Sequence, residues 1–177
     1  PDVVCCMEAP EHFANTLRNL HYHVTYAPMT IQQQTGPEYF EGVLLATKGH
    51  HDSDIHYYYR PADTILHHES GRQRHTIAEA VVTATFNEYT IATTHFTWNA
   101  RGEIPNQAQT EDLTKLLSYL HHKPSHILCG DFNIPRHINS LYNNLIAHYI
   151  DAIPNTYTSS LDRSLHRLGD RPELHRL

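Results

Sequence analysis

The chain has 177 residues, long enough for one domain with a sizeable buried core. Its 40% hydrophobic and 18% charged residues are ordinary for a globular protein, and no apolar run nears the roughly 18 residues of a membrane helix. The net charge of −6, with histidine neutral, excludes a generally basic surface that grips nucleic acid by counterion release, although not a local basic groove.

Val3, Val4, Cys5, Cys6 and Met7 form a continuous apolar run, the pattern of a strand covered on both faces. Glu8 ends it and Pro10 closes it. No basic-then-apolar signal segment precedes this run, and a start at Pro1 directly into a strand is expected of a piece cut from a longer protein. Glu11 to His21 reads as a short helix with Phe13, Leu17 and Leu20 inward, and His23 to Ala27 as a strand. Gln32 to Pro37 is a loop. Gly42 to Thr47 is a second apolar strand, followed by a polar connection rich in His and Asp.

Ala78 to Phe86 and Tyr89 to Phe96 are β-rich runs separated by Asn87-Glu88, a hairpin signal. Gln109 to His121 is the clearest helix, because Leu113, Leu116, Leu117 and Leu120 share one face. Ile127-Leu128-Cys129 is a short buried strand, and a second helix spans about Asn139 to His148. From Tyr157 the sequence is polar with scattered Leu. No repeat or linker divides the chain, so residues 1–177 read as one domain. Hairpins mixed with helices indicate an α+β domain with mixed sheets.

Three cysteines, two of them adjacent, give neither a disulfide framework nor a paired zinc spacing. All lie in apolar runs, which reads as buried reduced thiols in a cytoplasmic protein. The 17 histidines are scattered, with pairs at His50-His51, His67-His68 and His121-His122. No His-x-x-x-His lies beside a carboxylate on a convincing helix, so they read as solvated polar surface rather than a metal site.

The strongest local signal is Ile127-Leu128-Cys129-Gly130-Asp131-Phe132-Asn133. A buried strand delivers the chain to an edge, and Gly130 permits close backbone approach. Asp131 and Asn133 are two apart, so an extended backbone projects both to one side. A carboxylate that orients water, beside a carboxamide that hydrogen-bonds it or a phosphate oxygen, suits phosphoester hydrolysis. A turn or helix cap after a strand would use the same residues. Glu8, at the end of a strand, is placed to hold a hard divalent cation, or it simply opens a loop. His95 ends a β-rich run in Thr93-Thr94-His95-Phe96 and could equally be a hydrogen-bonded strand histidine. Asp162, after Tyr-Thr-Ser-Ser, reads alone as surface.

Together and in this order, these residues resemble the endonuclease/exonuclease/phosphatase superfamily, the deoxyribonuclease I-like enzymes. Pro1-Asp2-Val3-Val4-Cys5-Cys6-Met7-Glu8 is similar to the family strand whose Glu binds the metal, with Met7 in place of the usual Gln. Gly42-Val43-Leu44-Leu45 resembles the next core strand, and Thr94-His95-Phe96 the Thr-His-Leu strand whose His contacts the scissile phosphate. Gly130-Asp131-Phe132-Asn133 matches the signature directly. Leu161-Asp162 resembles the late Asp that orients a catalytic His. That His belongs to a Ser-Asp-His strand, and this sequence contains no Ser-Asp-His. The family's Asn-bearing first strand is absent too, so the resemblance covers the middle of the domain and implies a fragment lacking both ends.

The resemblance implies a two-layer β-sandwich of mixed sheets flanked by helices, and hydrolysis of a phosphodiester or phosphomonoester by in-line water attack with Mg²⁺ or Mn²⁺, impaired in a fragment without the Ser-Asp-His strand. Glu8 is then the metal ligand, Asp131 orients water, Asn133 stabilises it, and His95 bonds a phosphate oxygen. Asn99, Trp98 and Arg101 are the candidate substrate contacts. The substrate class stays open between nucleic acid, a phospholipid head group and a small metabolite. The alternative is a binding module, or an incomplete reading frame, of the same fold without activity.

Overall fold

A computed structural model describes residues 1–33, 36–59, 64–69 and 73–157. They form, in order, β1 (Val3–Pro10), α1 (Glu11–Asn19), β2 (His23–Gln32), β3 (Tyr39–Thr47), β4 (Asp52–Tyr57), α2 (Gln73–Thr76), β5 (Ala80–Phe86), β6 (Tyr89–His95), α3 (Gln107–His121), β7 (His126–Asp131) and α4 (Ser140–Ile146). The described residues divide into two compact units, one within Pro1–Thr97 and Glu111–Phe132, the other within Trp98–Thr110 and the described residues from Asn133 onward. No helix among the described residues is long and apolar enough to cross a membrane.

The first unit holds two sheets. One has the order β1-β3-β2 and is antiparallel throughout; the other has the order β4-β5-β6-β7 and is mixed, with β7 parallel to β6. The expected α+β sandwich is present, with mixing in one sheet only. Strand β3 shows why its run is continuously apolar. Val43 and Leu45 face Ala80, Val82, Ala84 and Ile91 of the other sheet, while Leu44 and Ala46 pack against Ala14 and Leu17 of α1. Alternate residues thus serve two cores, each buried Leu or Val contributing about 1.5–3 kcal/mol.

The same alternation holds in β1, where Val3 and Cys5 meet the inter-sheet core and Val4 and Cys6 the α1 side. Yet every residue from Val3 to Met7 is half-buried, because β1 is an edge strand. The cysteines, read from sequence as buried, are likewise each half-exposed, since Cys129 lies on the opposite sheet's edge strand β7.

Helix α1 stops at Asn19 rather than His21. His21 takes a φ of 63°, its N–H donates to Arg18 O and the Tyr22 N–H to Leu17 O, which closes the helix with a left-handed cap. In α3, Leu113, Leu116 and Leu120 are buried, and Tyr119 reaches Thr83 and the Asp54 carboxylate. Asp54 also pairs with Lys123 at 2.7 Å. It belongs to β4, which sequence reading takes for a polar connection. Its residues Asp52–Ile55 are exposed on an edge, so no apolar alternation marks them as a strand.

In the second unit, Asn139 caps α4 by accepting from the Leu141 N–H at 2.9 Å. Arg136 is bound to Asp151 and to the carbonyls of Ile153 and Tyr157, and Tyr142 donates to Asp151. The Tyr142 hydroxyl, then the Ile153 N–H and Arg136, hold the Asp151 carboxyl below its ordinary range.

One histidine departs from the solvated-surface reading. His51 is 2% exposed, and its two ring nitrogens meet the hydroxyls of Thr25 and Thr47 at 2.8 and 2.6 Å. Its ring lies 4.3 Å from that of His23, which also stands 4.7 Å from His50. Burial, then the neighbouring His23 and His50, lowers the His51 pKa below the ordinary 6.5, with Asp52 opposing. A base with a depressed folded pKa favours the fold when neutral. Its contribution is complete above about pH 6.5 and is lost as pH falls through the lower folded value. The melting temperature is therefore expected to fall between pH 7 and pH 5, and His51→Gln should flatten that slope. An unchanged slope in the variant would assign the acid sensitivity to other groups.

Candidate active site

The site is built at the end of the sandwich where β1, β6 and β7 finish. The β1–β3 register shifts between Cys6 and Ala9, and within that bulge Glu8 adopts a φ of 50°. A bulge re-aims the side chain at the strand end, and a left-handed glutamate is an uncommon conformation of the kind concentrated at functional sites. The Glu8 side chain is 68% exposed, and its Oε1 lies 3.9 Å from Nε2 of His95, which is largely covered.

His95 is fixed from behind. The buried Tyr58 hydroxyl meets the Thr94 hydroxyl at 3.2 Å and donates to the His95 carbonyl at 3.3 Å. Phe96 is 1% exposed, and Thr97 donates to the buried Asp112 carboxylate at 2.7 Å. His95 is the register partner of Asp131 in the parallel β6–β7 pair, and the Phe96 N–H donates to the Asp131 carbonyl at 2.7 Å. The two backbones therefore run side by side at this end of the sheet. Gly130 makes this possible. Its φ is +140°, and a Cβ there would sit 2.0 Å from the Thr94 carbonyl oxygen.

Glu41 is a site residue that sequence reading missed. It pairs with Pro10 in β1, and its carboxyl is raised by burial, opposed by a 2.9 Å hydrogen bond from Gln32. The Glu8 charge raises it further, while His95 and His68 lower it, so Glu41 belongs to the same electrostatic neighbourhood. The rule that singled out Glu8, a carboxylate at the end of an apolar strand, applies equally to Glu41 immediately before Gly42-Val43-Leu44-Leu45. Met7, where the family strand carries Gln, accepts a long contact from the Thr93 hydroxyl at 3.7 Å.

In the first unit Glu8 lies against His95, and Asp131 is the backbone register partner of His95. Asn133, Trp98, Asn99 and Arg101 belong to the second unit. There Asn133 has a φ of 50°, and its carbonyl accepts from the Gln109 side chain at 3.2 Å. The Asn99 carboxamide is engaged within its own loop, donating to the Ile104 carbonyl and Gln109 and accepting from the Arg101 N–H. Trp98 is 50% exposed, and Arg101 is exposed. Asp162 lies outside the described residues.

Among the described residues no group of three or more His, Cys, Asp or Glu side chains could hold a metal ion. The donor set suits a hard cation held mainly by water. Glu8 offers an exposed carboxylate oxygen, the ligand type Mg²⁺ and Mn²⁺ prefer, and leaves the rest of the coordination sphere to solvent.

No family model matches the sequence, and no curated protein does. Solved structures do. An endonuclease/exonuclease/phosphatase family protein from Leptotrichia buccalis C-1013-b is similar over 82% of this chain and 60% of its own, at 17% identity and a TM-score of 0.52. The chain has the endonuclease/exonuclease/phosphatase fold. Two further similar structures are ANGEL2, a 2′,3′-cyclic phosphatase in complex with adenosine-2′,3′-vanadate, and a humanized D. rerio TDP2. ANGEL2 is 20% identical over 81% of this chain and 43% of its own, with a TM-score of 0.48. TDP2 is 18% identical over 76% and 50%, with a TM-score of 0.46. The chain thus spans 60% of the length of the Leptotrichia buccalis structure and 43% and 50% of the other two.

Proposed function

We propose that this chain hydrolyses a phosphate ester, phosphodiester or phosphomonoester, by in-line attack of water at the end of the sandwich. The observation that supports this most is the contact of Glu8 with His95, together with the register pairing of His95 with Asp131, at the ends of three strands from two sheets. An acceptor carboxylate, an imidazole donor and a cation-binding carboxylate are the groups such a reaction needs in one place.

Asp131 accepts a hydrogen bond from the attacking water and draws off its proton. His95 donates to a non-bridging phosphate oxygen, held in position by the Tyr58 hydroxyl on its carbonyl. Asn133 would donate its carboxamide to the water or phosphate, by the family pattern. Glu8 would hold Mg²⁺ or Mn²⁺, which when bound supplies Lewis-acid polarisation of the phosphate and neutralises charge on the leaving oxygen. Trp98 offers an exposed ring for stacking and Arg101 a guanidinium for phosphate, on a loop that Asn99 braces. Asp162 would orient a histidine, by the family pattern. The substrate is a nucleic acid, a phospholipid head group or a small phosphorylated metabolite, and the chain acts as one cytoplasmic domain.

The cation reading is tested by calorimetry. The chain should bind Mg²⁺ or Mn²⁺ weakly, with a dissociation constant on the order of millimolar, as expected of one protein carboxylate with water ligands. Glu8→Gln should lose that binding. Equal binding by both proteins would place the ion elsewhere, with the histidine pairs next to be substituted. If the chain binds phosphate esters in a Glu8-dependent way but turns none over, the activity reading fails and a binding module of the same fold is what stands.

A further inference from the structure

The seam between β2, an edge of one sheet, and β4, an edge of the other, is closed by a buried histidine and its neighbours. The Thr25 hydroxyl of β2 lies 2.8 Å from His51 Nε2 and 2.8 Å from the Ser53 hydroxyl of β4. Across the ring, His51 Nδ1 meets the Thr47 hydroxyl at 2.6 Å, and that hydroxyl donates to the Gly49 carbonyl. Both ring nitrogens thus face hydroxyls, and neither faces a carboxylate. The His51 backbone N–H donates to Nδ1 of His23 at 3.3 Å, a bond that needs that nitrogen unprotonated. The exposed ring of His23 stands 4.3 Å from that of His51 and 4.7 Å from that of His50.

We propose that His51 is an acid-released latch on this seam, whose opening frees residues 49–53 from β2 while the rest of the sandwich stays folded. A proton on His23 occupies Nδ1 and removes the bond from the His51 N–H. Charge on His23 or His50 also stands beside the His51 ring. A proton on His51 itself would make an imidazolium only 2% exposed, with hydroxyls alone at its nitrogens, which is costly to keep buried. Turning the ring out to water relieves these costs together. Asp52 opposes them, but its carboxylate lies 3.7 Å from His50, and the nearby Lys48 is paired with Asp2. The opening has fixed ends. The Lys48 N–H bonds the Asp2 carbonyl at 3.0 Å, and the Asp54 carboxylate is held by Tyr119 and Lys123. The Tyr57 hydroxyl donates to the Pro28 carbonyl farther along the same seam. Protonating a histidine breaks none of these bonds. Val3 and His23 both pair with Thr47, whereas Pro10 pairs with Glu41, so the latch lies at the opposite end of the sheet from Glu8 and does not depend on the phosphoesterase reading.

The test is hydrogen exchange of the whole chain at about pH 7 and about pH 5, read as protection factors so that intrinsic rates cancel. The amides of residues 49–53 should lose protection about tenfold or more in acid, while those of β5 and β6 keep theirs. His51→Gln, which takes up no proton, should hold residues 49–53 equally protected at both values. His50→Gln reaches the latch only through the His23 ring, and it should shift the opening to lower pH. It decides the matter if His51→Gln does not fold. Unchanged protection of residues 49–53, a loss that β5 and β6 share, or an equal loss in folded His51→Gln would each overturn the proposal. Where His51→Gln is unfolded, an unshifted opening in His50→Gln overturns it.

Discussion

Replacing Asp131 by alanine is expected to lower phosphodiester hydrolysis by about 10²- to 10⁴-fold, the range of a positioned acid–base group. Asp131 stands at the exposed end of β7, in register with His95. The Phe96 N–H bonds the Asp131 carbonyl, which alanine keeps. The variant should therefore fold normally, with stability changed by no more than about 0.5 kcal/mol, as for most surface substitutions. Bis-p-nitrophenyl phosphate with Mg²⁺ or Mn²⁺ gives the rate, and a thermal melt checks the fold. The loss should appear in kcat rather than KM, since the proton transfer is made only in the transition state. Asp131→Asn, which keeps shape and hydrogen bonding but not basicity, should be nearly as slow. A parent and a variant that hydrolyse at the same rate would remove Asp131 from the reaction. His95→Ala would then be the next substitution.

Much of this arrangement is legible along the chain, and what is not has identifiable physical reasons. The run that becomes β3 is readable because burial on two faces leaves continuous apolar residues, as in Val43 to Ala46, while β1 and β7 keep short apolar runs although they are half-buried edge strands and Ile127 is exposed. Strand β4 escapes because its exposed edge residues carry no period. Glu8 can be seen as the residue after an apolar run. The bulge and left-handed φ that aim it are set by pairing with β3, a non-local partner. The alignment of His95 with Asp131 likewise depends on a parallel register between strands separated by a helix, which no local pattern encodes. Glu41 becomes a neighbour of Glu8 only once β3 lies beside β1.

Gly130→Ala is expected to be the most destabilising single change near the site, by at least about 3 kcal/mol, because two separate costs add. The backbone stands at a φ of +140°, a region that side chains rarely adopt. The added Cβ would also lie 2.0 Å from the Thr94 carbonyl oxygen and 3.0 Å from Thr94 C and N, all of them backbone atoms that cannot swing aside as a side chain would. Relief requires β7 to move away from β6, which separates Asp131 from His95 and strains the bond from the Phe96 N–H. Gly36 supplies the control. It too has a positive φ, +122°, but nothing lies within 4 Å of its virtual Cβ. Gly36→Ala should therefore show the conformational cost alone, about 1–3 kcal/mol. Urea unfolding of the two variants separates the terms, with the excess in Gly130→Ala measuring the overlap. Hydrolysis by any folded Gly130→Ala protein should fall along with stability, since the same displacement opens the site. Equal midpoints for the two variants would mean that β7 yields freely at Gly130, and the close β6–β7 approach would then not be what sets Asp131 beside His95.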